Sequence, residues 1–254
     1  MAFTHRQQRE IFHFLFLKKL LKISDQRLFV LKGGVNLRFF FSSPRYSEDM
    51  DLDVLAGSVS TLRKNGYRIL EDPAFRRSLQ PFGIADIIIS DPDKAKHTNT
   101  TQRFNLHLIN IAGESYPTKV EFSRRTSEDE YVLEPIDPKV ARFSRSLSFP
   151  CQHYTPLSMV SQKLRALANR THPQTRDVFD LYVLWLGGYL SLPCEISLSE
   201  AELLNATENI FSFSYEDYRG QVLEYLEPEQ RDDFEGEVMW NVICEKVLTF
   251  LEFE

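Results

Sequence analysis

Apolar residues recur at two different spacings along this chain, and the spacing changes in its middle. Over about 6–23 they fall on one face of a helix, and the apolar runs that follow are short, as in strands. Residues 49–54 alternate polar and apolar positions strictly, which predicts a strand whose apolar side faces the core. From residue 156 onward apolar residues lie three or four apart, so the second part of the chain is predicted to be helical.

The same patterns divide the chain into two parts. Further strands are predicted at 28–31, 83–90, 103–110 and 119–122, and short helices at 35–41 and 59–65. Gly33-Gly34 is expected to end the first strand, because glycine permits a tight turn. The predicted fold class is α+β, with an α/β half over 1–145 and an all-helical half over 146–254.

Composition and charge exclude several classes of protein. The 254 residues are 43% hydrophobic and 26% charged, which is typical of a soluble globular protein. A net charge of −6 argues against a protein that coats nucleic acid without specificity. The three cysteines, Cys151, Cys194 and Cys244, are widely spaced, which excludes a disulfide framework and favours a reducing cytoplasm. No stretch reaches about 18 uncharged apolar residues, so we expect a cytoplasmic protein without a membrane span.

Acidic side chains are concentrated on the strand predicted at 49–54. Asp49, Asp51 and Asp53 share one of its faces, with neighbours roughly 6.7 Å apart. Carboxylates this close repel one another unless a cation compensates their charge. Mg²⁺ binds through one or two carboxylates together with substrate phosphates, so the cluster indicates a metal-dependent site. The alternative is an exposed acidic edge strand whose solvated charges discourage aggregation.

Two pairs of sequence motifs add a family resemblance to this pattern. Residues 31–37 read LKGGVNL, 45–53 read RYSEDMDLD, 163–167 read KLRAL and 176–181 read RDVFDL. Together they resemble the nucleotidyltransferase toxins of the AbiEii/AbiGii type, the toxin halves of type IV toxin–antitoxin and abortive-infection pairs. The resemblance covers about 28–186. It implies a polymerase-beta-like nucleotidyltransferase domain with a mixed sheet over 1–145, and a helical domain over 146–254 that completes the nucleotide and acceptor cleft.

The resemblance also implies roles for individual residues. Asp49 and Asp51 match the metal-binding pair of the family, and a third carboxylate is expected from a neighbouring strand. Glu121 is the candidate and Asp86 the competitor, while the alternative for Glu121 is a surface residue paired with Lys119. The implied catalytic residues are Asp49, Asp51, Glu121, Lys163 and Asp177, and the implied metal ligands are Asp49, Asp51 and Glu121. The implied nucleotide-binding residues are Lys32, Gly33, Gly34, Arg45, Ser47, Lys163 and Asp180.

The second motif pair places charged residues on two predicted helices. Pro173 separates them, and so short a turn makes the helices antiparallel neighbours, which brings Lys163 towards Asp180. The family motif implies that Lys163 contacts the triphosphate, and the alternative is an ion pair that clamps the helical hairpin. A candidate acceptor-RNA surface, or alternatively a set of solvated helix charges, comprises Arg124, Arg125, Lys163, Arg165, Arg170, His172 and Arg176.

These residues and the resemblance together predict a metal-dependent nucleotidyltransferase. It would move a nucleoside monophosphate from a nucleoside triphosphate to an acceptor, with Mg²⁺ or Mn²⁺ as its cofactor. The family implies an RNA acceptor, such as a transfer RNA end, and action as a toxin whose partner is a cognate antitoxin protein. The alternatives are nucleotidylation of a protein or small molecule, and a catalytically inactive module that binds a nucleotide or a partner.

Overall fold

The computed structural model describes residues 3–90, 98–124, 129–190 and 198–251. Arg125 and Cys194, both named above, lie outside these ranges. The chain divides into two compact units, which are described separately below. Unit 1 comprises residues 1–40 and 46–154, and unit 2 comprises residues 41–45 and 155–254.

Unit 1 is built on one mixed sheet, in which the described residues form seven strands. They are β1 (Phe29–Lys32), β2 (Met50–Val54), β3 (Ile84–Ile89), β4 (Thr101–Asn110), β5 (Ser115–Ser123), β6 (Tyr131–Pro135) and β7 (Pro150–Tyr154). Their order in the sheet is β3-β4-β5-β2-β1-β7-β6. The β2–β5 and β1–β7 pairs are parallel, and the other neighbours are antiparallel. Because β2 lies inside the sheet, the alternative of an exposed acidic edge strand is wrong.

Helices of unit 1 supply much of the core against the sheet. They are α1 (His5–Ile23), α2 (Gly33–Phe40), α3 (Val59–Glu71), α4 (Pro73–Leu79) and α5 (Pro138–Phe143). Phe12 and Phe16 of α1 belong to the same buried cluster as Met50 and Leu52 of β2. The apolar side of the alternating strand therefore faces the core, as its pattern predicts. Thr4 begins α1 with a capping box, which satisfies the first free amides of the helix.

Unit 2 is helical in the part that the structure describes. Its helices are α6 (Pro156–Asn169), α7 (Thr175–Leu186), α8 (Glu200–Ser212), α9 (Tyr215–Gln221), α10 (Pro228–Arg231) and α11 (Glu237–Leu248). Thr155 caps α6 and Pro156 occupies its first turn, where the missing amide proton costs no hydrogen bond. Tyr218 of α9 stacks on Trp240 of α11, with ring centroids 4.6 Å apart. None of the described helices combines the length and the apolar character that a membrane crossing requires.

Several elements differ from the sequence prediction. The helix predicted at 35–41 begins at Gly33, so the glycine pair opens a helix as well as ending β1. The helix predicted at 59–65 continues to Glu71. Strands β6 and β7 and helix α4 were not predicted, and β7 lies beyond residue 145, in the part expected to be helical. Strands β6 and β7 each have five residues and include a proline, so their local sequence signal is weak. In addition, β7 pairs with β1, which is distant in sequence.

Candidate active site

Asp51 lies at the centre of a group of charged side chains in unit 1. In the register of the sheet it is the partner of Lys32 on β1 and of Glu121 on β5. Neighbouring strands lie about 4.8 Å apart, so these three side chains leave the backbone at adjacent positions. The structure thus brings together two carboxylates, Asp51 and Glu121, that are far apart in the sequence.

Asp49, directly before β2, is held by Lys119 of β5. Nζ of Lys119 lies 2.9 Å from Oδ2 of Asp49, and the backbone N–H of Lys119 donates to Oδ1 at 3.1 Å. The hydroxyl of Ser47 donates to the backbone carbonyl of Asp49 at 2.8 Å. These contacts hold Asp49 at the start of β2 and give its negative charge a cationic partner.

The carboxylate of Asp51, by contrast, forms no hydrogen bond or ion pair with any residue that the structure describes. Burial raises the pKa of Asp51. The charges of Asp49 and Glu121 also raise this pKa, while Lys119 and Lys32 lower it. A bound cation would stabilise the ionised form of Asp51, because nearby positive charge favours a carboxylate over the protonated acid.

Glu121 has a cationic partner of its own. Arg103 of β4 lies opposite Glu121 in the register, and its Nε donates to Oε2 of Glu121 at 2.6 Å. The alternative pairing of Glu121 with Lys119 is therefore wrong, since Lys119 pairs with Asp49. The competitor Asp86 lies on the edge strand β3, where an arginine of α4 pairs with it. Strands β4 and β5 separate β3 from β2, so Asp86 is remote from the centre of this group.

Gly33 lets the backbone approach the carboxylate of Asp51. Its φ of +68° lies in the left-handed region, which residues with a side chain rarely adopt. A Cβ atom at this position would lie 3.3 Å from Oδ2 of Asp51. Gly33 and the half-buried Gly34 are the first two residues of α2, so the free backbone amides of this helix begin beside the carboxylate group.

Asp53, the second carboxylate within β2, is buried, and both of its oxygens have partners. Nζ of Lys32 lies 2.5 Å from Oδ1 of Asp53, and the hydroxyl of Tyr154 donates to Oδ2 at 2.8 Å. Although Lys32 is paired with Asp51 in the sheet register, its ammonium group is directed to Asp53. Within unit 1 these contacts tie β2 to β1 and β7.

A buried polar chain next to Asp49 carried no signal in the sequence. Nε2 of His13 lies 2.9 Å from the hydroxyl of Thr118, and that hydroxyl donates to the carbonyl of Glu48 at 2.6 Å. Because the hydroxyl proton is used on Glu48, Nε2 of His13 is the donor in the first contact. Burial lowers the pKa of His13 to about 3, so its ring is neutral near pH 7. In the sequence, His13 is one histidine among the apolar residues of a helix.

A second charged cluster lies in unit 2, at the contact of α6 and α7. Nζ of Lys163 lies 2.8 Å from Oδ1 of Asp177 and 2.5 Å from Oδ2 of Asp180. The predicted approach of Lys163 to Asp180 is therefore confirmed. Arg170 pairs with the other oxygen of Asp177. Arg45 donates from Nε and Nη2 to Asp180 at 3.1 Å and 2.9 Å, in a bidentate arrangement.

Apart from Arg170, whose side chain is 40% exposed, this cluster is buried. Asp177 and Asp180 are fully buried, and Arg45 and Lys163 nearly so. Burial raises the pKa of Asp180, but Arg45 and Lys163 lower it by more, so the pKa lies below its ordinary value. The ion pair that would clamp the helical hairpin, the alternative given above, is thus present. A contact of Lys163 with a nucleotide stays a prediction. Two other predicted acceptor contacts, Arg165 and His172, are exposed on this unit.

The fold and the family match together give the class of protein. The fold is that of a nucleotidyltransferase, and residues 15–248 match the family model of the nucleotidyl transferase AbiEii toxin of type IV toxin–antitoxin systems. The chain belongs to this family, and the resemblance carried by its motifs is confirmed. Among curated proteins, no sequence matches the chain.

Solved structures share this fold at low sequence identity. JHP933 from Helicobacter pylori is 18% identical with a TM-score of 0.56, over 99% of this chain and 95% of that protein. A putative nucleotidyltransferase from H. pylori is 18% identical with a TM-score of 0.54, over 98% of each chain. MenT4, a nucleotidyltransferase toxin from Mycobacterium tuberculosis, is 15% identical with a TM-score of 0.57, over 96% of this chain and 84% of that one. The predicted α+β fold class is confirmed.

Proposed function

We propose that this nucleotidyltransferase moves a nucleoside monophosphate from a nucleoside triphosphate to RNA, in a reaction that requires Mg²⁺ or Mn²⁺. The observation that carries the proposal is the placement of Asp49, Asp51 and Glu121 on adjacent strands beside the glycine that opens α2. Oxygen donors next to free backbone amides suit a triphosphate that brings its own cation.

The chemistry of the donor set fits a divalent cation. All three candidate ligands offer hard carboxylate oxygens, and Asp51 has no hydrogen-bond or ion-pair partner within the described ranges. No group of three or more His, Cys, Asp or Glu side chains in those ranges is already arranged around a metal position. Lys119 and Arg103 pair with Asp49 and Glu121, so a cation that binds these carboxylates would compete with the two basic side chains. A bound cation stabilises charge on the attacking and leaving oxygens of nucleotidyl transfer.

Residues of unit 1 supply the remaining parts of the reaction. The backbone amides of Gly33 and Gly34 hold the triphosphate, and Lys32 and Ser47 border this position. An oxygen of the acceptor hydroxyl attacks the α-phosphorus while the bond to pyrophosphate breaks. The carboxylate of Glu121 takes up the hydroxyl proton, which makes Glu121 the general base.

The family motif supports further roles for residues of unit 2. We assign nucleotide contacts to Lys163, Asp180 and Arg45, and a catalytic role to Asp177. Their mutual ion pairs hold each side chain in one orientation, which is what positioning a substrate requires. The compact charge of Lys163 suits a phosphate oxygen.

The sheet order predicts that Glu121, and not Asp86, is the third catalytic carboxylate. Glu121→Gln is expected to lower turnover by about 100-fold or more, because it removes the base beside Asp51. Asp86→Asn is expected to leave turnover within about twofold, because Asp86 is on the edge strand and its ion pair is exposed. The turnover of both variants is measured as pyrophosphate release at saturating triphosphate. Equal losses in the two variants would remove Glu121 from the proposed mechanism.

Transfer itself is tested with each of the four α-labelled nucleoside triphosphates, offered separately with total RNA and total protein. We expect label in RNA with Mg²⁺ or Mn²⁺ present, and none after chelation or in Asp49→Ala. Expression without antitoxin should arrest growth with the wild type and not with Asp49→Ala.

Other results of this experiment have definite meanings. Label in protein or in small molecules would establish one of the alternative acceptors. Triphosphate binding without pyrophosphate release under any acceptor condition would indicate an inactive binding module and contradict the proposal.

A further inference from the structure

Helix α3 of unit 1 presents an exposed basic face on a chain whose net charge is −6. Arg63, Lys64 and Arg68 are all exposed, and no carboxylate in the described parts of the chain pairs with any of them. Lys64 and Arg68 are one helical turn apart and are neighbours on the helix surface, while Arg63 leaves the helix about 100° around its axis from Lys64. The only acidic residue of the helix is Glu71, at its last position. We call these three residues the basic face of α3.

A shallow depression runs along this face. Its volume is about 570 Å³, and it is lined by Val59, Ser60, Arg63, Lys64 and Tyr67. The guanidinium carbon of Arg63 lies 5.9 Å from the centre of the Tyr67 ring. Cationic groups beside an aromatic ring are the two elements with which proteins hold a single-stranded nucleic acid, by its phosphates and by its bases.

The other side of α3 is anchored, so the basic face has a fixed position. Gly66 packs against Phe104 of β4 so closely that a Cβ atom there would lie 2.3 Å from Cζ of that ring. The Tyr67 ring meets Phe104 edge-on, with centroids 5.0 Å apart. At the start of the helix, Nη1 of Arg124 donates to the carbonyl of Gly57 at 2.6 Å, which places a further guanidinium group at this end. The anchored helix fixes the backbone positions from which these cations reach a ligand.

We propose that the basic face of α3 binds the phosphate backbone of the RNA acceptor. This inference rests on the proposed function and adds to it a surface that lies outside the charged group around Asp51. Charge complementarity selects the occupant, since three exposed cations that pair with no described carboxylate attract a polyanion even on an acidic protein.

The test compares two triple variants with the same change of charge. The first is Arg63→Gln, Lys64→Gln, Arg68→Gln, and the control is Arg77→Gln, Lys139→Gln, Arg142→Gln, three exposed cations elsewhere in unit 1. Fluorescence anisotropy measures the affinity for a short labelled single-stranded RNA and for bulk transfer RNA across a salt series. Binding of the triphosphate and the melting temperature are recorded for each variant.

We expect the α3 variant to bind RNA about tenfold or more weakly, and its salt slope to fall by about 2, since each phosphate contact on a single strand contributes about 0.7. Its KM for RNA should rise in proportion, while triphosphate affinity and melting temperature stay at the control's values. Equal RNA affinity in both triple variants, with transfer to RNA intact, would overturn this inference and leave the proposed function standing. Transfer of label to protein alone, without RNA binding by the wild type, would overturn both the RNA acceptor and this surface.

Discussion

Asp51→Asn is expected to abolish nucleotidyl transfer while making the metal-free protein more stable. Asp51 is a partly buried carboxylate with no described partner and two carboxylates nearby, so its ionised form is costly until a cation binds. We expect turnover to fall by at least about 1,000-fold, because cation binding contributes several kcal/mol to the transition state. The melting temperature without metal should rise by about 2–4 °C, which corresponds to about 1 kcal/mol.

The sign of the pH dependence follows from the same carboxylate. Because burial raises the pKa of Asp51 above its ordinary value of 3.8, the native state holds the proton more tightly than the unfolded chain. The contribution of Asp51 to the free energy of unfolding is therefore most favourable at acid pH and is lost as the pH rises through the raised pKa. The stability advantage of Asp51→Asn should accordingly grow with pH in denaturant titrations without metal.

Two comparisons separate this expectation from a general effect of charge removal. Asp86→Asn removes a carboxylate from the same sheet and should change neither transfer nor metal response. Asp49→Asn should abolish transfer equally, but without a gain in stability, because it loses the half-exposed ion pair with Lys119, worth about 0–1 kcal/mol. Wild-type turnover in Asp51→Asn, or a collapse of its fold, would contradict the assignment of Asp51 as a metal ligand.

Lys163→Met is expected to abolish tight triphosphate binding while the protein stays folded. The substitution keeps the apolar stem and deletes the charge. Asp177 retains Arg170 and Asp180 retains Arg45, so neither buried carboxylate is left without a cation. The loss of stability should be about 1.5–3 kcal/mol, below the roughly 3–5 kcal/mol expected when a buried charge loses its only partner.

Turnover of Lys163→Met should fall by about 100-fold or more, as when a preorganised charge donor is removed from a reacting site. Lys246→Met is the matched control, since Lys246 also lies in unit 2 and contacts only aromatic rings among its described side-chain contacts. Arg170→Met provides a second comparison, because it removes a cation from the same cluster but leaves Lys163 in place. If Lys163→Met and Arg170→Met lose stability and triphosphate affinity in parallel, Lys163 is only a clamp between α6 and α7.

Local patterns in the sequence were sufficient to predict β2 and its polar side. Alternation over six residues reports directly on which side chains are buried, because successive residues of a strand point to opposite faces. The helical spacing around Lys163 and the proline break after α6 likewise predicted its approach to Asp180, because a short helical hairpin leaves few other arrangements. The motifs around Gly33 and Asp49 were sufficient to predict the family, which the match over 15–248 confirms.

In unit 1, only the tertiary structure decided which charges meet. The parallel pairing of β2 with β5 places Glu121 opposite Asp51, and the sheet order removes Asp86 from the same position. It is also the register that gives Lys119 to Asp49 and Arg103 to Glu121, and no local pattern distinguishes these pairings. Pairing between strands distant in sequence depends on packing of the whole sheet, so period-two alternation fixes the face of a residue but leaves its neighbour on the next strand undetermined.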